Sequence, residues 1–288
     1  MTVATSAPTP SYPKARRIEF RFDGPDSDKK YFIAGDMVFS HFIATLSGAF
    51  PAAEESFIRS VRRCSDRITD PDLRKRVAGF IGQEASHGAQ HRNLNEKLVA
   101  HGYPVAWADT PALRAWLRAF EESVPPVVHL AAVASAEHVT ALLSERSLSS
   151  TEIQSIPAEP EYWNIMNWHT LEEIEHKSVV FDVFRAMGGS ETTRIGVTAV
   201  MTAVALPGAF AALAISIALD PVANRRPVRL TREAYRLFRG PIFRGLTRDL
   251  AKYLRPGFHP DDHDTAELLE HWQQELFGPH GALVDHLK

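Results

Sequence analysis

Two E-x-x-H pairs, Glu84/His87 and Glu173/His176, limit what this chain can fold into more than anything else in it. The second sits in Trp168-His169-Thr170-Leu171-Glu172-Glu173-Ile174-Glu175-His176-Lys177. At about 100° per residue, His169, Glu173 and His176 fall within roughly 60° of one another on one helical face. Glu175 points away from that face and Glu172 lies at its edge. The flanks are apolar: Tyr162, Trp163, Ile165 and Met166 before, Val179, Val180, Phe181, Val183 and Phe184 after. Carboxylates and imidazoles are costly to bury without compensation, and a cation compensates several at once.

The first pair repeats the pattern in Gln83-Glu84-Ala85-Ser86-His87-Gly88-Ala89-Gln90-His91, where His91 is nearly in line with Glu84. Two further helices each carry a carboxylate in an apolar setting, Glu54 after Phe50-Pro51-Ala52-Ala53 and Glu137 within Ala134-Ser135-Ala136-Glu137-His138. Glu55, beside Glu54, competes for the inward position. The order is Glu, E-x-x-H, Glu, E-x-x-H on successive helices, which is the ligand set of a two-metal carboxylate site in a helical bundle. The expected ligands are Glu54, Glu84, His87, His91, Glu137, His169, Glu173 and His176. His138, Glu172 and His259 are auxiliary candidates that either orient a ligand or serve the fold. Oxygen and imidazole donors without thiolate favour iron, with manganese or a mixed iron/manganese pair next and zinc less suited.

Around these motifs the chain reads as all-α. Residues 1–16, rich in Ser, Thr and Pro, read as a disordered tail, and 17–23 alternate polar and apolar as a short extended arm. One helical domain then covers 17–276, with the metal-binding part at 36–190. Helices are expected from Asp36, from Pro51 to 68, from 71 to 100 and from Pro111 to about Glu122. Two more run from Pro126 to Ser149 and from 161 to 187, the last closed by Gly188-Gly189. An amphipathic basic helix over 228–254 and a last helix to Leu276 form a C-terminal extension. The fold class is therefore all-α: a ferritin-like four-helix bundle with an added hydrophobic helix and that extension.

The hydrophobic helix is the run 195–219, which carries no charge and is long enough to span a bilayer. Arg225, Arg226, Arg229 and Arg232 follow it. Two readings stay open: a buried helix or substrate-tunnel wall, broken at Pro207-Gly208, or a segment in peripheral or spanning contact with a membrane. A net charge of -3 gives no argument for nucleic acid. The single cysteine, Cys64, excludes an internal disulfide framework and a Cys-rich zinc site. With no secretory pattern at the start, a cytoplasmic, membrane-associated or free chain is expected.

The motifs Phe50-Pro51-x-x-Glu54, Gln83-Glu84-x-x-His87-x-x-x-His91, Glu137-His138, Trp168-His169-x-x-Glu172-Glu173-x-Glu175-His176-Lys177 and Pro256-Gly257-Phe258-His259-Pro260 resemble the bacterial family labelled "predicted metal-dependent hydrolase". The resemblance covers roughly residues 20–275, and it implies hydrolysis. The ligand order instead is similar to that of di-iron oxidases and oxygenases. The leading expectation is an O2-activating di-iron oxidoreductase acting on an apolar small molecule, with an electron donor as partner and oligomers allowed. The alternatives are a di-metal hydrolase of an ester or phosphoester and a non-enzymatic metal-binding bundle.

Overall fold

The structure is a computed structural model that describes residues 13–24 and 29–288. Among these residues there is no β-strand, only isolated bridges between Ile18 and Leu287 and between Ile33 and Ala158. The long helices are α1 (Met37–Arg62), α2 (Pro71–Ala100), α4 (Pro126–Ser149) and α6 (Pro160–His176), with α3 (Pro111–Ser123) and the one-turn α5 (Thr151–Gln154) between them. The short α7 (Val179–Ala186) continues from α6, and α8 (Glu191–Ala218) is the apolar helix. The one-turn α9 (Pro221–Asn224), α10 (Pro227–Arg239), α11 (Leu246–Lys252) and α12 (Ala266–Phe277) complete the chain. α1 packs on α2 and α4 on α6; α1 also meets α4, and α2 meets α6 and α7.

Most helix starts follow from local chemistry. Asp70 caps α2 through the N–H groups of Asp72 and Leu73, with Pro71 in its first turn. Thr110 caps α3 in the same way, with Pro111 beside it. Gly102, at φ 83°, takes the left-handed conformation that ends α2.

Four expectations need correction. Pro51 does not start a second helix; α1 runs straight through it. Proline removes the hydrogen bond to the carbonyl four residues back. That carbonyl belongs to Ser47, and it accepts instead from Asn95 Nδ2 of α2 at 3.0 Å. The helix predicted over 161–187 breaks at Lys177 and Ser178, where polar tethers take both residues: Lys177 Nζ donates to His263 O and Thr265 Oγ1, and Arg76 donates to Ser178 Oγ. The basic helix predicted over 228–254 is divided into α10 and α11 by Gly240-Pro241 and by Gly245 at φ 76°.

The fourth concerns 195–219. It is neither buried nor broken: α8 continues through Pro207, and only 11% of its apolar window is covered. At the N-terminus, residues 1–12 of the expected tail lie outside the described residues. Residues 13–16 lie along α2. A Cβ on Gly79 would meet Pro13 O at 2.2 Å, and one on Gly82 would meet Ala15 Cβ at 2.4 Å, so two glycines admit the strap. The strap continues into the arm, where Glu19 N donates to His286 O and Lys288 N to Arg17 O.

Candidate metal centre

Helical periodicity turns Glu54 of α1, Glu84 and His87 of α2, Glu137 of α4, and His169, Glu173 and His176 of α6 toward one interior. All seven are buried, none more than 3% exposed. Glu55 is turned outward, onto Arg59 and Arg92. Gly88 leaves room for Glu54, since a Cβ there would lie 3.2 Å from Glu54 Oε2.

The side-chain tips form an elongated cluster. At one pole are Glu84, Glu137 and His176, at the other Glu54, His87 and His169, with Glu84, His87 and Glu173 grouped between them. His176 Nε2 lies 3.2 Å from both Glu84 Oε1 and Glu137 Oε2. Glu173 Oε1 lies 3.1 Å from His169 Nε2, 3.5 Å from His176 Nε2 and 3.7 Å from His87 Nδ1.

Hydrogen bonds outside the cluster fix which nitrogen of each imidazole is bare. His87 Nε2 donates to Glu172 Oε2 at 3.0 Å, leaving Nδ1 facing inward. His176 Nδ1 donates to Gln83 Oε1 at 3.0 Å, leaving Nε2 inward. For His169 the order runs through four side chains. Asn95 Nδ2 donates to Ser47 O, so Asn95 Oδ1 accepts from Ser47 Oγ at 2.7 Å. Ser47 Oγ therefore accepts from His91 Nδ1, and the bare His91 Nε2 accepts from His169 Nδ1 at 2.6 Å. His169 Nε2 is left bare toward Glu173 and Glu54.

Three lone pairs thus meet four carboxylates in the interior. Both oxygens of Glu54, Glu84 and Glu137, Oε2 of Glu173, Nδ1 of His87 and Nε2 of His176 are buried without a hydrogen-bond partner. Such atoms are expensive to leave unmet, and a lone pair beside a carboxylate oxygen is favourable only with a proton or cation between them. The cluster fits cations.

In the protein alone, protons serve that purpose unevenly. Burial first, then the Glu173 charge, pushes Glu54 well above the usual carboxylate range; burial does the same to Glu84. Burial raises Glu137 to about 7. Glu173 goes the other way: burial opposes its charge, but His176 and His169 together hold it well below its ordinary value. Burial and then His169 push His87 well down.

The other predicted residues fall elsewhere. His91 is buried on the expected face but does not join the convergent groups; both its nitrogens are taken by Ser47 and His169. It lies four residues past His87, a rise of about 6 Å along the helix. Glu172 sits behind His87 and is bound by Arg16 at 2.6 Å. Burial raises its carboxyl to about 8. His138 faces away, stacked on Tyr253 and edge-on to Phe258. It lines a separate cavity of about 320 Å³ with Lys177, Arg255 and His263. His259 donates to Asp182 at 2.8 Å and accepts from Asp261 N, tying its turn to α7.

Gln83, Glu175, Ser47, Asn95 and Arg16 were not singled out by spacing. Arg16 donates to both Glu172 and Glu175, and Gln83 Nε2 donates to Glu175 Oε2. A polar residue directly before an E-x-x-H, as Gln83 is, was the one local signal for any of them.

The family described as "Predicted metal-dependent hydrolase" matches residues 14–264. The chain belongs to this family. The family's description fits a buried interior that gathers carboxylate and imidazole groups able to hold a metal ion. No curated protein and no solved structure matches the chain.

Proposed function

We propose that this chain is a two-metal hydrolase of an ester or phosphoester. Glu54, Glu84, His87, Glu137, His169, Glu173 and His176 hold the ions in a ferritin-like arrangement of α1, α2, α4 and α6. The observation that carries the reading is the convergence of bare imidazole nitrogens on unpaired, buried carboxylates. The family description supports hydrolysis. A bound pair of cations supplies Lewis acidity and lowers the pKa of water.

The chain's own residues prepare the site. Glu172, Gln83 and His91 keep the outward imidazole nitrogens engaged, so the inward ones stay bare. Trp168 lies edge-on to His87, Phe80 edge-on to His176, and Phe50 against His169, which limits water around the rings.

A second reading, oxygen-dependent oxidation of an apolar small molecule with an external electron donor, is favoured by one observation. The four carboxylates and two E-x-x-H pairs are distributed over the helices as in di-iron carboxylate proteins. Iron, or an iron/manganese pair, would suit these donors.

The test has two parts. The protein is loaded with iron, manganese or zinc, the metal is counted, and a panel of activated esters and phosphoesters is tried without oxygen. Anaerobic turnover is the expected result. Oxygen uptake by the ferrous protein, with no anaerobic turnover under any metal, would replace hydrolysis by oxidation. Glu173→Ala is expected to lose most of the bound metal; retention of the full wild-type complement would refute the site itself.

A further inference from the structure

We propose that α8 and the arginines that follow it dock the protein on an anionic lipid bilayer, lying along its surface. The inference is independent of the reaction at the metal cluster.

α8 is inside out. Its buried positions are Arg194, Thr198, Leu213 and Ser216, mostly polar. Val200, Val204, Leu206, Phe210 and Ile215 are instead 44–69% exposed. Its apolar window has a mean hydropathy of 2.1. A helix packed on a water-soluble domain buries its apolar stripe and exposes its polar one. A contiguous apolar face left outside marks an interaction surface.

The anchoring of α8 sets its orientation. It packs on α4 and on α1. Near its start, the buried Arg194 donates to Glu191 and to Arg255 O. Near its end, Ser216 Oγ meets His41 Nδ1 at 2.7 Å, and Leu213 is buried. A helix held to the domain at both ends cannot cross a bilayer while the fold is intact, but it can lie in the interface with its free face in the acyl region.

Charge selects the occupant. α10 packs on α1 and touches α8 through Phe238, whose ring centroid lies 5.6 Å from that of Phe210. Arg225, Arg226 and Arg232 are exposed and, among the described residues, have no acidic partner. Arg229 and Arg236 are offset by Glu233 and Asp36. The acidic residues of 195–240 are Asp220 and Glu233, and both are buried and engaged, Asp220 by Lys30, His41 and Tyr31 and Glu233 by Met37 N and Arg229. A second copy joined symmetrically on this face would set arginine against arginine. Lipid phosphates beside an apolar layer satisfy both parts of the surface.

The test is flotation of the full-length, metal-loaded chain with vesicles of phosphatidylcholine, with or without phosphatidylglycerol. Binding to the anionic vesicles, and much less to the neutral ones, is expected. The triple change Arg225→Gln, Arg226→Gln and Arg232→Gln is expected to weaken binding roughly 100-fold, about fivefold per arginine. Val200→Asp with Val204→Asp is expected to abolish it, with helical circular dichroism and metal content unchanged because both side chains are exposed. Failure to float with anionic vesicles overturns the proposal. So does binding that ignores the arginine changes, or a dimeric sedimentation mass that Val204→Asp abolishes in the absence of vesicle binding.

Discussion

Gln83 Oε1 accepts the Nδ1 proton of His176 at 3.0 Å, while the nitrogen of the same amide donates to Glu175 Oε2 at 2.7 Å. The second bond fixes which way the amide faces, and so which nitrogen of His176 is bare toward Glu84 and Glu137. Gln83→Leu keeps the approximate volume and removes the acceptor. It should weaken metal binding about 10- to 100-fold, the usual effect of losing a partner behind a ligand. Competition with a chelator measures this directly; unchanged affinity would show that the amide does not orient His176.

The N-terminal strap acts at the same remove. Arg16 donates to Glu172 and Glu175, and Glu172 holds His87. Arg16→Ala should lower metal affinity by about 10-fold while leaving the helices intact. Gly79→Val should have a similar effect from the other side, because any Cβ there collides with Pro13 O. If the glycine variant frees the strap to protease yet binds metal as the wild type does, the strap has no hold on the site.

Asn95 serves both the fold and the site. It supplies the hydrogen bond that Pro51 denies to Ser47 O and orders the chain that ends on His169. Asn95→Ala should destabilise the metal-free protein by about 1–3 kcal/mol, the cost of leaving such a group unmet. Pro51→Ala restores a backbone N–H for the same carbonyl. The loss from Asn95→Ala should therefore be smaller in that background, and thermal unfolding of the four proteins in the cycle gives the coupling. Equal losses in both backgrounds would mean Asn95 does not compensate for the proline.

Acid should destabilise the protein through His129 among other groups. Arg63 donates to its Nδ1 at 3.3 Å and its Nε2 donates to Ser56 Oγ at 3.0 Å, an arrangement only the neutral ring can make. Burial, against the pull of Glu121, lowers its pKa to about 4, from about 6.5 in an unfolded chain. Between those values the unfolded state binds the extra proton, so stability rises with pH. The contribution is complete above about 6.5 and is lost as pH falls toward 4. His129→Gln should flatten the dependence of melting temperature on pH across that window in metal-free protein. An unchanged slope would remove His129 from the account.

Sequence alone determined the helical class and which groups share the face of each E-x-x-H helix. The 3.6-residue period places Glu84 with His87, and Glu173 with His169 and His176, on single faces whatever surrounds them. Caps such as Asp70-Pro71 and Thr110-Pro111 fixed helix starts for equally local reasons. Tertiary structure decided what depends on a partner far away in the chain. His91 shares the ligand face but does not join the convergent groups, because Ser47 and His169 take both its nitrogens. Pro51 stays inside α1 because Asn95 of another helix replaces the missing bond, and Arg16 reaches Glu172 across 156 residues of sequence. Composition shows that α8 is apolar, but whether protein covers it depends on where its neighbours pack, and they leave most of it uncovered.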